Sequence, residues 1–280
     1  MMNEHSITAN GVTLCTEAFG DPGDPAVLLI MGATVSMLGW DDRFCRQLAL
    51  GGRFVIRYDN RDTGRSVTYE PGKPQYTLQD LADDAVGVLD AYRLVRAHFV
   101  GMSLGGMIAQ LVAIRRPERV ATLTLIASSP HGPEDPDLPP MAEKVQSYFA
   151  DTGGVDWSNE ASVVDFMVRG AHVVSGGTRP FDEAATRKFV VREMGRASNF
   201  ASRGNHALIS ADRWRERLVE ITVPTLVIHG SEDPVLPYGH GVALAREIPG
   251  AALLTLEGMG HELYPADWDT IVGAILRHTA

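Results

Sequence analysis

Ser103 lies in the pentapeptide Gly101-Met102-Ser103-Leu104-Gly105, directly after the apolar run Ala97–Val100 and before an apolar stretch of helical period. A serine hydroxyl is a weak nucleophile until a neighbouring base takes its proton. A sharp turn from strand into helix suits such a residue. Small neighbours two before and two after it relieve crowding, and the hydroxyl stands at a helix N-terminus, where the dipole favours developing negative charge. A Gly-Ser turn that only joins a strand to a helix spells the same letters, so the partners must decide.

The base should be an imidazole, and the chain offers nine histidines. His5 and His278 lie near the termini, His98 lies inside an apolar run, and His229 ends another. His131, His172 and His206 fall in a long segment of helical character, and His240 lies near the start of a helix. His261 differs, because Gly258-Met259-Gly260 carries it beyond the carboxyl end of the last strand-like run, Ala252–Leu256. The imidazole needs a carboxylate to hold its tautomer. Asp233, in His229-Gly230-Ser231-Glu232-Asp233-Pro234, follows the run Thr225–His229 and is preferred over Glu232, which reads as solvent-facing. Asp233 is otherwise a turn former before Pro234. The chain order Ser103, Asp233, His261 matches the nucleophile–acid–base order associated with such a serine turn. A tetrahedral intermediate also needs two N–H donors. The backbone of Leu104 supplies one, and Ala33, in Gly32-Ala33-Thr34 after the run Ala26–Met31, supplies the other.

These residues need a scaffold that brings several strand ends together. Short apolar runs alternate with segments of helical period, the pattern of a mostly parallel sheet covered by helices. Ser6–Ala9 and Val12–Phe19 form a hairpin around Asn10-Gly11. Ala26–Met31, Phe54–Tyr58, Ala97–Val100, Val120–Ala127, Thr225–His229 and Ala252–Leu256 complete eight strands. Helices are predicted over Asp41–Leu50, from a cap at Thr77 to Tyr92, over Leu104–Ile114, and over Ala266–Arg277. After Ala127 the rhythm breaks. Ser128–Pro140 is rich in Pro, Gly and Asp, and Met141–Leu218 reads as helical with loops at Gly153-Gly154 and Gly176-Gly177. The expectation is a core of residues 1–130 and 219–280, with 131–218 a helical lid inserted after the sixth strand. Phe149, Trp157, Phe166, Phe181, Phe200 and Trp214 in that segment suggest an apolar or aromatic substrate, although aromatics on short helices more often pack a core.

Of 280 residues, 45% are apolar and 21% charged, as in an ordinary globular domain with a sizeable core. A net charge of −10, with 35 acidic against 25 basic residues, disfavours nucleic acid and anionic lipid as partners. No apolar run approaches the ~20 residues of a membrane span, and Met1–Asn10 lacks the basic and apolar blocks of a signal peptide. Cys15 and Cys45 read as small core residues in a cytoplasmic protein. A small-molecule ester is the expected partner, and self-association into a homodimer is left open.

The chain resembles the α/β-hydrolases of the esterase, lipase and cofactor-free haloperoxidase group over nearly its whole length. Met31-Gly32 stands where that group usually has His-Gly, and Trp40 where it commonly has Trp. Tyr58-Asp59-Asn60-Arg61-Asp62-Thr63-Gly64-Arg65-Ser66 is similar to its D-x-R-G-x-G-x-S stretch, with Asp62 in place of Gly. Arg61 is expected to be a buried structural arginine pairing with backbone, Asp59 or Asp62. These departures, with Leu38-Gly39-Trp40 and Pro224–Ile228, look most like the anthracycline methylesterases of the aclacinomycin type.

The resemblance implies an α/β-hydrolase fold and two-step acyl transfer on Ser103, His261 and Asp233, with no organic cofactor and no metal. Haloalkane dehalogenases and epoxide hydrolases of this fold carry Asp where Ser103 stands. Perhydrolysis and carbon–carbon bond hydrolysis use the same triad and remain alternatives, as does a ligand-binding protein that kept the fold. A metal site built from His229, Asp233, His240 and His261 is disfavoured, because no H-E-x-x-H or comparable spacing appears.

Overall fold

The computed structural model describes residues 4–130, 135–151 and 154–280; His131 and Gly153, named above, fall outside them. The eight strands are β1 (Glu4–Ala9), β2 (Val12–Phe19), β3 (Ala26–Ile30), β4 (Phe54–Tyr58), β5 (Ala97–Met102), β6 (Val120–Ile126), β7 (Thr225–Gly230) and β8 (Ala252–Leu256). They form one sheet in the order β1-β2-β4-β3-β5-β6-β7-β8. β1 and β2 pair antiparallel, as do β2 and β4, and the pairings from β4 through β8 are parallel. Asn10 and Gly11 both take positive φ, 48° and 77°, as a two-residue turn of matching twist requires.

The helices are α1 (Asp42–Leu50), α2 (Leu78–Ala91), α3 (Leu104–Arg115), α4 (Glu143–Ala150), α5 (Glu160–Val174), α6 (Glu183–Arg196), α7 (Gly239–Glu247) and α8 (Trp268–His278). Every residue of β3 is buried, because helices cover both faces of the sheet. Ala26, Leu28 and Ile30 point into a core shared with α2, α3 and α7, whereas Val27 and Leu29 point into one shared with α1 and α8. Alternation along a strand therefore feeds two cores. Thr77 caps α2 through a capping box with Asp80, and Asp41 caps α1.

Helices α4 to α6 and two short 3-10 segments, Phe200–Ala207 and Arg215–Glu220, lie between β6 and β7. Val164, Val168 and Val190 give this insert a small core of its own, with Met167 and Phe189 packed against it. Trp214 instead joins the main core and donates to Gln110 on α3 at 3.1 Å. Phe149 and Trp157 are exposed, while Phe166 is buried.

Several boundaries move. β5 runs two residues beyond Val100, because Gly101 and Met102 keep pairing with Leu125 and Ile126. The closing helix starts at Trp268, after a single 3-10 turn over Pro265–Asp267. Arg61 pairs with neither Asp59 nor Asp62. Its guanidinium forms a fork with Asp84 on α2, both contacts at 2.7 Å. Asp59 is taken instead by Arg196 of α6 at 2.8 Å. Asp62 sits at φ 63°, which explains a position where the resembled stretch has Gly. Its carboxylate accepts from Tyr69 N, Tyr76 Oη and Asn205 Nδ2. Cys15 and Cys45 are both free and buried.

Candidate active site

Ser103 occupies φ 51°, ψ −119°, between the end of β5 and the first residue of α3. Such a backbone costs about 1–3 kcal/mol and persists only where its surroundings enforce it. The enforcement is visible. Ser103 N–H donates to Ile126 O at 2.9 Å, and Ser103 O accepts from Ser128 Oγ at 2.9 Å and Gly106 N at 2.9 Å. A Cβ on Gly101 would lie 2.2 Å from Gly105 O, and one on Gly105 would lie 2.1 Å from Ile30 O. Only glycine at both positions lets α3 approach β5 and β3 this tightly.

The three expected side chains meet. His261 Nε2 lies 2.9 Å from Ser103 Oγ, and its Nδ1 lies 2.8 Å from Asp233 Oδ2. Asp233 is buried, and its Oδ1 accepts from the N–H groups of Val235 at 2.8 Å and Leu236 at 2.9 Å. Burial alone would raise the Asp233 pKa. The attraction of His261 and these hydrogen bonds outweigh it and hold the carboxyl below its ordinary value. Glu232 turns outward to Thr178, whose N–H and hydroxyl both donate to it.

Leu104 opens α3, and the first N–H groups of a helix have no intrahelical carbonyl. The loop after β3 passes against Ser103, since a Cβ on Gly32 would lie 3.2 Å from Ser103 Cβ. Thr34, Ser36 and Met37 of that loop donate their N–H groups to side chains, respectively His206, Glu193 and Asp59. No acceptor among the described residues takes the Ala33 N–H.

Sequence reasoning missed several neighbours. His229, read as ending a strand and weighed only as a metal ligand, is fully buried with Nε2 3.6 Å from Asp233 Oδ2. That nitrogen donates to Leu236 O at 2.7 Å, and burial lowers the ring's pKa, which favours the neutral form beside the carboxylate. His240 donates through Nε2 to Pro139 O and accepts from Ser129 Oγ, both at 2.9 Å. Among the described residues no three His, Cys, Asp or Glu side chains converge as metal ligands. No helix of the described residues is long and apolar enough to cross a membrane.

Residues 25–266 match the family described as alpha/beta hydrolase fold. The chain belongs to the α/β-hydrolase family. This α/β-hydrolase is 36% identical to rhodomycin D methylesterase DauP of Streptomyces sp. (strain C5), across 99% of this chain and 98% of that protein. It is 35% identical to rhodomycin D methylesterase DnrP of Streptomyces peucetius, with the same shares covered. Among solved structures, a hydrolase from Pseudomonas aeruginosa PA01 superposes with a TM-score of 0.75 at 28% identity, covering 99% of this chain and 98% of that one. The sequence resemblance to anthracycline methylesterases and the α/β-hydrolase fold expected from it both hold.

Proposed function

We propose that this α/β-hydrolase cleaves a carboxylic ester through an acyl-enzyme on Ser103. The observation that supports this most is the hydrogen-bonded chain from Ser103 Oγ through His261 to the buried Asp233. Ser103 attacks the ester carbonyl while His261 Nε2 takes its proton. The tetrahedral oxyanion is received by the N–H groups of Ala33 and Leu104. His261 then returns the proton to the departing alkoxide, and Asp233 stabilises the intervening imidazolium. Water, activated by the same imidazole, releases the acid. Each proton transfer passes through His261 Nε2, from Ser103 to the alkoxide and then from water back to Ser103, and no cofactor enters a step.

Two relatives carry the name rhodomycin D methylesterase, which favours a methyl ester as the substrate within the wider class of carboxylic esters. Residues 131–218 serve as a lid, and residues 1–130 and 219–280 as the catalytic core. Contact between the end of α5 and the His261 loop supports that division, as does the insert's own small core.

A panel of p-nitrophenyl esters of rising chain length, with methyl esters of polycyclic aromatic acids, tests the substrate class. Turnover of the polycyclic methyl esters is expected. Turnover confined to short acyl chains would defeat the methylesterase assignment, and no ester turnover at all would defeat the hydrolase assignment.

A further inference from the structure

The loop that carries Ala33 is held by side chains far along the chain. Thr34 N–H donates to His206 Nδ1 at 2.9 Å, and Ser36 N–H donates to Glu193 Oε2 at 3.1 Å. The other ring nitrogen of His206, Nε2, faces the carbonyl oxygen of Arg61 at 2.7 Å. A carbonyl can only accept, so Nε2 carries the proton and Nδ1 is left as the acceptor. His206 is 5% exposed, and its ring stands nearly perpendicular to that of Tyr76, with centroids 6.4 Å apart. Burial also lowers its pKa, which favours the neutral form that can accept a hydrogen bond.

Thr34 sits at φ 66°. A β-branched residue rarely adopts the left-handed region, and such strain lasts only where neighbours hold it. The Thr34 N–H belongs to the peptide plane between Ala33 and Thr34. That plane shares the Ala33 Cα with the plane carrying the Ala33 N–H. Anchoring one restricts the orientation of the other.

We propose that His206 is a positioning residue for ester cleavage: its Nδ1 anchors the Thr34 N–H and so aims the Ala33 N–H at the oxyanion. This rests on the serine-hydrolase reading above, with Ala33 as an oxyanion donor. His206 touches neither substrate nor the reacting atoms in this role. It ties the insert to the catalytic loop, so the 3-10 segment Phe200–Ala207 helps to shape the site from outside it.

Two amide substitutions separate the two hydrogen bonds. In His206→Asn the side-chain oxygen takes the place of Nδ1, keeping the Thr34 bond and losing the Arg61 bond. In His206→Gln the amide reaches the place of Nε2 and does the reverse. Orientation of an oxyanion donor acts on the transition state, so H206Q should lose about 10-fold or more in kcat on a p-nitrophenyl ester while KM stays within about two-fold. H206N should keep kcat within about three-fold. Equal losses in the two variants, or the opposite order, would overturn the proposal. Should neither variant fold, 15N-histidine NMR of the unsubstituted protein decides: His206 protonated at Nε2 supports the proposal and protonation at Nδ1 overturns it. Fluorophosphonate capture by the unsubstituted protein is run alongside. Capture at Ser103 with equal kcat in H206N and H206Q overturns the His206 role alone, whereas absence of capture overturns the serine reading and this role with it.

Discussion

The backbone N–H of His261 donates to the carbonyl of Val174, the last residue of α5, at 2.8 Å. The residue that bonds to Ser103 Oγ is thus held from the helical insert as well as from the sheet. Around this contact the chains touch closely. A Cβ on Gly176 would fall 1.9 Å from Gly258 O, and one on Gly260 would fall 2.2 Å from Gly176 N.

Gly176→Ala should therefore displace the Gly258–His261 loop. A misplacement of about 1 Å at a catalytic group can cost 10²-fold, so kcat should fall about 10²-fold. Overpacking should lower stability by about 1–3 kcal/mol. Gly154, with nothing within 4 Å of its added Cβ, is the control, and Gly154→Ala should leave both quantities unchanged. Steady-state kinetics and urea unfolding of the two variants check this, and an unaltered kcat in Gly176→Ala would refute the coupling.

Asp233→Asn preserves shape and removes the charge that fixes the His261 tautomer. kcat should fall about 10⁴-fold. The pH dependence of stability gives a second reading. The folded carboxyl titrates below its ordinary value, so its stabilising contribution is present above about pH 4 and is lost as pH falls through the lowered value. Unfolding at pH 6 should show wild type more stable than Asp233→Asn by about 2 kcal/mol, the scale of a hydrogen bond to a charged group. The difference should shrink steadily below pH 4. A difference independent of pH would contradict the assignment of Asp233 as a held carboxylate.

The three residues that meet in the site were legible because each follows a strand in a turn of small residues. Gly101 and Gly105 frame Ser103, Gly230 precedes Asp233, and Gly258 and Gly260 precede His261. The strands were legible because apolar runs with helices on both faces cannot be hidden among polar residues. Their ends were not, since the last residues of β5 are strand only by pairing with β3 and β6. The contacts that support the site were hidden for another reason. Glu193 and Arg196 lie three apart on α6, and two charges at that spacing read as a solvated face. Both are buried, because Glu193 reaches Ser36 and Arg196 reaches Asp59 across more than 130 positions of sequence. His206 and Val174 likewise act on residues that no local pattern connects to them. Arg61 is expected from sequence to be buried, but its partner Asp84 lies 23 positions further along the chain, beyond any local pattern.

The most direct measurement is covalent capture of the nucleophile. The protein is treated with a fluorophosphonate, its peptides are mapped by mass spectrometry, and ester turnover is followed as label accumulates. A single adduct on Ser103, with turnover lost in proportion and Ser103→Ala retaining only the activity of oxyanion stabilisation and binding, is the predicted result. Undiminished ester hydrolysis by Ser103→Ala, or loss of activity with the adduct on another residue, would contradict it.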